Sequence, residues 1–313
     1  MTQALLIDTD PGIDDAMALC FLGSARDIGI RAITTVFGNA SAAVTTANAA
    51  LLCARFGIRA PIHPGADSPL LRPRGASPVH VHGEDGLGDI GVDRSRLSSV
   101  SSLPAAAAIV ELANAAAGEL RILALGPLTN LALALDVDPS IAGKISDVVI
   151  MGGAFGLYGR RGNVTPFAEA NIHNDPHAAA RVLAAPWRLT MVGLDVTSRC
   201  VLPAAESARL AATCGAPARF LHDISRGYEL LYREQDGLEG CCLHDVAAAA
   251  YVIAPEIFTT RRGRISVVTE GAQAGMTSQD DDGFALHRAC LDVTPAAVLR
   301  LYAQMLFLAG QGT

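Results

Sequence analysis

Short β-branched runs alternate along this chain with longer Ala/Leu-rich stretches, and the short runs are apolar on both faces. A strand without a polar face must be covered on both sides. That points to a parallel sheet flanked by helices, not to a one-sided antiparallel sheet. The pattern predicts strands at Ala4–Asp8, Arg31–Val36, Leu120–Leu125, Val148–Met151, Leu189–Leu194 and Ile265–Val268. Between them it predicts helices at Ala16–Gly23, Ala40–Phe56, Pro104–Ala117, Leu128–Leu135, Pro176–Ala184, Ala205–Thr213, Ala216–Tyr232, Val246–Ala254 and Pro295–Leu308. No repeat, heptad seam or low-complexity linker interrupts the alternation. The expectation is α/β: a single domain over residues 1–313, with a mostly parallel central sheet flanked by helices.

In open sheets of this kind, ligands gather beyond the carboxyl ends of the strands. Gly38-Asn39, Leu125-Gly126-Pro127 and Met151-Gly152-Gly153 all fall in such places. The most informative segment follows the first strand: Asp8-Thr9-Asp10-Pro11-Gly12-Ile13-Asp14-Asp15. Four carboxylates in eight residues repel one another, so bringing them together requires a cation or raised pKa values. Hard divalent cations take carboxylate and carbonyl oxygens. Helix capping accounts for Asp14 or Asp15, but not for all four, so a metal site is the better reading.

Composition removes several function classes. Lys and Arg total 24 against 31 Asp and Glu, a net charge of −7 that is a poor match for nucleic acid. Apolar stretches such as Val246–Ala254 are too short to span a bilayer. The N-terminus shows no signal-peptide pattern, and the 7 cysteines include no Cys-x-x-Cys. Buried thiols in a reducing, cytoplasmic setting are expected. Lys144 is the only lysine and lacks the context of a phosphate-binding loop.

The Asp8–Asp15 segment closely resembles the N-terminal signature of the nucleoside hydrolases, the inosine–uridine-preferring N-ribohydrolases. Further stretches agree in order and spacing: Val36-Phe37-Gly38-Asn39, His82-Gly83-Glu84-Asp85-Gly86-Leu87-Gly88, Leu125 through Asn130, Met151-Gly152-Gly153, Gly162-Asn163-Val164-Thr165 through Ala168-Glu169-Ala170-Asn171 to Asp175-Pro176, and Leu243-His244-Asp245. The resemblance runs from residue 5 to about residue 255, with a C-terminal strand and helix beyond. It implies an open, Rossmann-like nucleoside hydrolase fold that cleaves the N-glycosidic bond of small-molecule ribonucleosides, giving ribose and free base.

By that resemblance, Asp10, Asp15, Asp245 and the backbone carbonyl of Leu125 would hold one Ca²⁺, with Asp10 as general base toward the attacking water. Asp14, Asn39, Asn163, Glu169 and Asn171 would bind ribose, with Met151 packed against the sugar. The transition state is oxocarbenium-like, so positive charge must be stabilised on the ribose while the departing base gains a proton. His244 is the implied acid, with His82 an additional candidate. Each residue also has a local reading. Asp245 suits a helix N-cap, Asn39 and Asn163 suit turns after glycine, and Met151 suits the core. His63, His222 and His287 read as structural, and the pair His80 and His82 lacks a third zinc ligand at suitable spacing.

Substrate choice is less legible. Purine-specific members of the family stack the base between tryptophans, whereas the one tryptophan here, Trp187, reads as core. A pyrimidine-preferring or broad enzyme is expected. Tyr228, Tyr232 and Arg233 lie at helical spacing before His244 and could touch the base, or could form an ordinary half-exposed face. Ala170 stands where many relatives carry an aromatic residue. Asp14, Asp15 and His244 place the chain with the His-containing group, whose members are usually homodimers or homotetramers. Two other readings compete. A haloacid-dehalogenase-like phosphatase would share the Asp8-Thr9-Asp10 start, but Pro11-Gly12-Ile13-Asp14 does not continue that pattern. A nucleoside- or ribose-binding protein without turnover would not need both Asp10 and His244.

Overall fold

The computed structural model describes residues 2–280 and 287–311. Among the described residues twelve strands are formed: β1 Gln3–Thr9, β2 Ile28–Thr35, β3 Ile62–Pro64, β4 Arg121–Ala124, β5 Asp147–Met151, β6 Leu189–Val192, β7 Val201–Pro203, β8 Gly240–Cys242, β9 Phe258–Arg262, β10 Arg264–Val267, β11 Thr277–Asp280 and β12 His287–Val293. Eight of them make one sheet in the order β3-β2-β1-β4-β5-β6-β12-β9. Every pairing in it is parallel except that of β9 with β12. The expected mostly parallel sheet is therefore present, with an antiparallel strand at one edge.

β1 shows why both faces had to be apolar. Leu5 and Ile7 enter one buried cluster, while Ala4 and Leu6 enter the other. Leu5, Leu6 and Ile7 have no exposed surface. Fully burying each contributes about 1.5–3 kcal/mol. The first cluster is closed by helix Ile13–Gly23, which packs against helices His244–Ile253 and Pro295–Gln311. Hence that helix is apolar all round apart from its first turn.

Chain direction decides where the site lies. β1 pairs with β2 on one side and β4 on the other, so the order of the sheet reverses at β1. The loops after β1 and β4 part at that point and leave a crevice. Two helices start two or three residues earlier than the sequence pattern suggests. One begins at Ile13 instead of Ala16, and another at His244 instead of Val246. The first turns of both helices therefore carry Asp14, Asp15, His244 and Asp245 to the crevice.

One expected strand sits elsewhere. Ile265–Val268 becomes β10 and pairs only with β11, in a separate two-stranded sheet. The place beside β6 goes to β12. Strands β3, β7 and β8, of three residues each, are too short to leave a periodic signal. Among the described residues no helix is long and apolar enough to cross a membrane.

Candidate active site

A cavity of about 540 Å³ opens at the switch point, within the range of small-molecule sites. Twelve of the fifteen residues singled out from the sequence line it: Asp14, Asn39, His82, Leu125, Met151, Asn163, Glu169, Asn171, Tyr228, Tyr232, His244 and Asp245. Asp10 and Asp15 are buried and linked to that wall through Asn39. Arg233 is not part of the site. Its guanidinium pairs with Glu239 at 2.8 Å on the surface. Tyr228 and Tyr232, four residues apart, share a helix face, and Arg233 lies about 100° further round.

The acidic floor is assembled by backbone and by Asn39. Gly12 caps helix Ile13–Gly23, and its N–H donates to Asp15 Oδ2 at 3.0 Å. The Thr9 hydroxyl donates to Asp15 Oδ1. Asn39 uses its backbone N–H for Asp10 Oδ2 at 2.8 Å and its side-chain amide for Asp15 Oδ2 at 2.9 Å. It also reaches the Asp10 carbonyl at 3.2 Å. Asn39 is thus a clamp between two carboxylates, not merely a turn residue. The Asp10 carboxylate lies against two glycine backbones: a Cβ added at Gly38 would meet Oδ2 at 1.9 Å, and one at Gly126 would meet Oδ1 at 2.7 Å. Among the described residues, Asp10 Oδ1 is buried without a hydrogen-bond partner.

Carboxylate oxygens of Asp14, Asp15 and Asp245 come within 4.8 Å of one another. Asp245 stands in the first turn of its helix, whose N-cap is Leu243, so it is a cluster member and not the cap. Burial, together with the other acids, pushes Asp10 and Asp245 well above the usual carboxylate range. The same causes push Asp14 up to about 8. Burial also raises Asp15. Three converging acidic groups and an orphaned carboxylate oxygen beside them, with no ion-pair partner among the described residues, form a donor set suited to a hard divalent cation.

Asp8 does not join this group, contrary to the grouping of four expected from the sequence. Its side chain lies on the opposite face of β1 from Thr9, as strand alternation requires. There Asp8 Oδ1 accepts from Thr34 Oγ1 at 2.5 Å and from Asn130 Nδ2 at 2.7 Å. Burial pushes it up to about 7. Asn130 also donates to the Thr35 carbonyl at 2.9 Å and accepts from Ala66 N–H, so it ties β1 and β2 to the following loop.

The wall above the floor is equally committed. Glu169 caps the short helix Ala170–Asn174 and accepts three backbone N–H groups, from Gly153, Asn171 and Ile172, at 2.9–3.1 Å. Asn163 Oδ1 accepts from Ala170 N–H at 3.0 Å. Asn171 Nδ2 donates to the Leu125 carbonyl at 2.7 Å and the Met151 carbonyl at 3.1 Å. The Leu125 carbonyl keeps a second lone pair.

The same cavity is lined by an imidazole–phenol chain. His244 Nδ1 meets Thr197 Oγ1 at 2.7 Å, and its Nε2 meets the Tyr232 hydroxyl at 2.7 Å. Tyr232 in turn reaches the Tyr228 hydroxyl at 3.2 Å. Tyr228 stacks on His82, with ring centroids 5.7 Å apart. Burial lowers His244 to about 4 and His82 to about 3, so both are neutral at pH 7. Sequence reasoning missed Thr197, although it follows β6 where a site residue belongs. It also missed Arg160 and Asp236, which line the cavity and form an ion pair. Their signals are an arginine pair, Arg160-Arg161, in a glycine-rich loop and the end of a helix longer than expected.

The structural readings of other residues agree. Trp187 is 1% exposed and its indole N–H donates to the Val182 carbonyl. His63, His222 and His287 bond to Leu103, Ser207 and Ile265 respectively, away from the cavity. All seven cysteines are free and buried.

An α/β scaffold thus carries a buried acidic cluster and an imidazole at one cavity, and comparison with known proteins identifies the class. The sequence profile described as inosine-uridine preferring nucleoside hydrolase matches residues 5–300. Uridine nucleosidase 1 of Arabidopsis thaliana is 40% identical over 282 residues, 89% of this chain and 82% of that protein. The non-specific ribonucleoside hydrolase RihC of Klebsiella pneumoniae is 36% identical over 99% of this chain and 100% of its own length. Among solved structures, a purine-preferring ribonucleoside hydrolase from Gardnerella vaginalis superposes with a TM-score of 0.92 at 26% identity, covering 99% of this chain and 100% of that one. The chain belongs to the inosine–uridine-preferring nucleoside hydrolase family and is an N-ribohydrolase.

Proposed function

We propose that this enzyme cleaves ribonucleosides with one Ca²⁺ on the acidic floor and is pyrimidine-preferring or broad in its choice of base. The observation that carries the reading is the arrangement across one cavity. Asp10, with Oδ1 uncommitted, is joined through Asn39 to the trio Asp14, Asp15 and Asp245, and His244 with its partner Tyr232 lines the same cavity. Asp10, Asp15, Asp245 and the Leu125 carbonyl would hold the ion, with Asp14 close enough to share it. When bound, Ca²⁺ would supply a lowered pKa for water and an anchor for ribose hydroxyls.

The chain's own groups divide the remaining work. Asn39 fixes Asp10 Oδ2, leaving Oδ1 as the oxygen that can take a proton from attacking water. Asn171 commits its amide donors to two carbonyls, so its Oδ1 is what it offers a ribose hydroxyl. Glu169 and Asp14 place negative charge beside a ribose ring that turns cationic as the bond breaks. His244 is neutral in the resting site, and negative charge growing on the departing base favours its protonated form. The relatives are named for uridine, non-specific and purine-preferring activity, so base choice rests on this chain's own residues. No tryptophan lines the cavity, since Trp187 is core, and the base end offers Tyr228, Tyr232 and His82 instead. The seven unpaired, buried thiols support a reducing compartment such as the cytoplasm.

The test is release of reducing sugar from uridine, cytidine and inosine, before and after exhaustive chelation and with calcium restored. Release that disappears on chelation and returns with calcium is expected, with inosine no faster than uridine. Ribose binding in a calorimeter without turnover of any nucleoside would replace the enzyme reading with a binding protein.

A further inference from the structure

We infer that Thr197 is a positioning residue for the leaving-group acid: its hydroxyl pins His244 Nδ1 and thereby commits Nε2 to Tyr232 and the cavity. The inference rests on the role proposed above for His244. An imidazole on a helix turns freely about its terminal torsion unless one ring nitrogen is held. Here one nitrogen is held by a residue outside the cavity lining. Thr197 has no exposed surface, and its Oγ1 lies 2.7 Å from Nδ1. The opposite nitrogen then faces the Tyr232 hydroxyl at 2.7 Å, on a cavity-lining residue.

The holder is itself held. Thr197 ends the single helical turn Leu194–Thr197 that follows β6. Both oxygens of Asp195 are occupied by backbone N–H groups, Leu157 and Phe155, each at 2.7 Å. Leu194 N–H donates to the Gly153 carbonyl at 2.9 Å. A Cβ at Gly193 would meet that same carbonyl oxygen at 2.7 Å, so the turn lies directly on the loop after β5. β-Branching restricts the Thr197 rotamer further. A rigid turn, a branched side chain and one hydroxyl bond together fix the plane of the imidazole. In the step this serves, the imidazole first takes up a second proton from solvent; the C1′–N bond pair then leaves with the base, the Nε2 proton passes to that base, and the imidazole returns to its neutral form.

The test compares Thr197→Val, which keeps shape and loses the hydroxyl, with Thr197→Ser, which keeps the hydroxyl. Each is assayed on uridine and on 4-nitrophenyl β-riboside, whose leaving group needs no proton. Thr197→Val should lower kcat on uridine about tenfold, the worth of one neutral hydrogen bond. KM, and the rate on the nitrophenyl riboside, should stay within about twofold. Thr197→Ser should recover uridine turnover to within about threefold. Equal losses on both substrates, no loss on uridine, or a serine variant as slow as the valine variant would each overturn the inference. A second readout needs no turnover. In long-range ¹H–¹⁵N spectra, the Nδ1 resonance of His244 should move in Thr197→Val and return in Thr197→Ser, and an unmoved resonance would also overturn it. If the wild-type enzyme releases no ribose, the role of His244 falls. If only the Thr197 comparison fails, that role stands and the pinning does not.

Discussion

Calcium binding should expel protons from this protein, because the acidic floor cannot be fully ionised without a cation. Two carboxylates at 4.8 Å repel by about 3.5 kcal/mol at an effective dielectric constant near 20. That is roughly two and a half pKa units per pair, before any cost of burial. Asp14, raised to about 8, is protonated about ten to one at pH 7, and Asp10, Asp15 and Asp245 are shifted in the same direction. A metal binds the ionised forms only, so at pH 7 one ion should release about one proton from Asp14 and a further share from its neighbours. The sign with pH is fixed by the same shifts: raised acids hold fewer protons as pH rises, so release should decline through pH 8 while calcium affinity increases. The assay is calorimetric titration of chelated protein with calcium, in buffers of different ionisation enthalpy, from pH 6 to 9. The slope of observed enthalpy against buffer enthalpy counts the protons. A slope of zero at pH 7, with calcium binding intact, would show that the cluster is already ionised and would refute the electrostatic reasoning.

Three further outcomes follow from the site. Asp10→Asn should cut kcat by at least about a hundredfold, the lower end of a general base's contribution. Ribose affinity by calorimetry should change little, and parallel losses of both would contradict the assigned role. Gly126→Ala places a methyl 2.7 Å from Asp10 Oδ1 and 2.9 Å from Val36 Cγ1. It should therefore lower kcat more than tenfold while the protein remains folded by circular dichroism; full activity would mean that Asp10 has room to move. Arg233→Ala, which removes only an exposed ion pair, should leave kcat/KM for uridine within about twofold and change stability by less than about 1 kcal/mol. A large loss in kcat/KM would return Arg233 to the site.

Much of this could be read from the residues, and the parts that could not have physical reasons. The sheet was legible because β1, β2, β4, β5 and β6 are apolar on both faces, a pattern that only two-sided burial explains. β12 was not, because His287–Val293 mixes buried Ala289 and Cys290 with partly exposed Arg288 and exposed Asp292. Its partner on one side is the antiparallel edge strand β9, so it need not be apolar throughout. Local period also separated residues that composition had grouped. Asp8 and Thr9 must point to opposite faces of β1, and Tyr232 and Arg233 must lie about 100° apart on their helix. Thr197 carried no such mark. A threonine after a strand is common, and only its 2.7 Å approach to an imidazole 47 positions later gives it a role.

The two walls of the cavity rest on different supports, and that difference bears on why one family can serve different bases. Asp10 and the Leu125 carbonyl sit directly after β1 and β4, and Asn39 lies four residues after β2; the three strands pair in parallel. Moving any of them disturbs the centre of the sheet, where two glycine backbones already confine Asp10. On the proposed reading, ribose and metal would meet groups with little freedom to vary. The base would instead meet Tyr228 and Tyr232 on helix Gly215–Asp236, His82 on the four-residue helix Val79–His82, and Arg160 in the loop after β5. None of these lies on the main sheet, and the ion pair of Arg160 with Asp236 is partly exposed. Substitutions there alter the cavity without altering its floor. On the proposed reading, the groups that cleave the bond would be held by the central strands and the two helices packed at the switch point, and the choice of base would be left to the outer helix and loops.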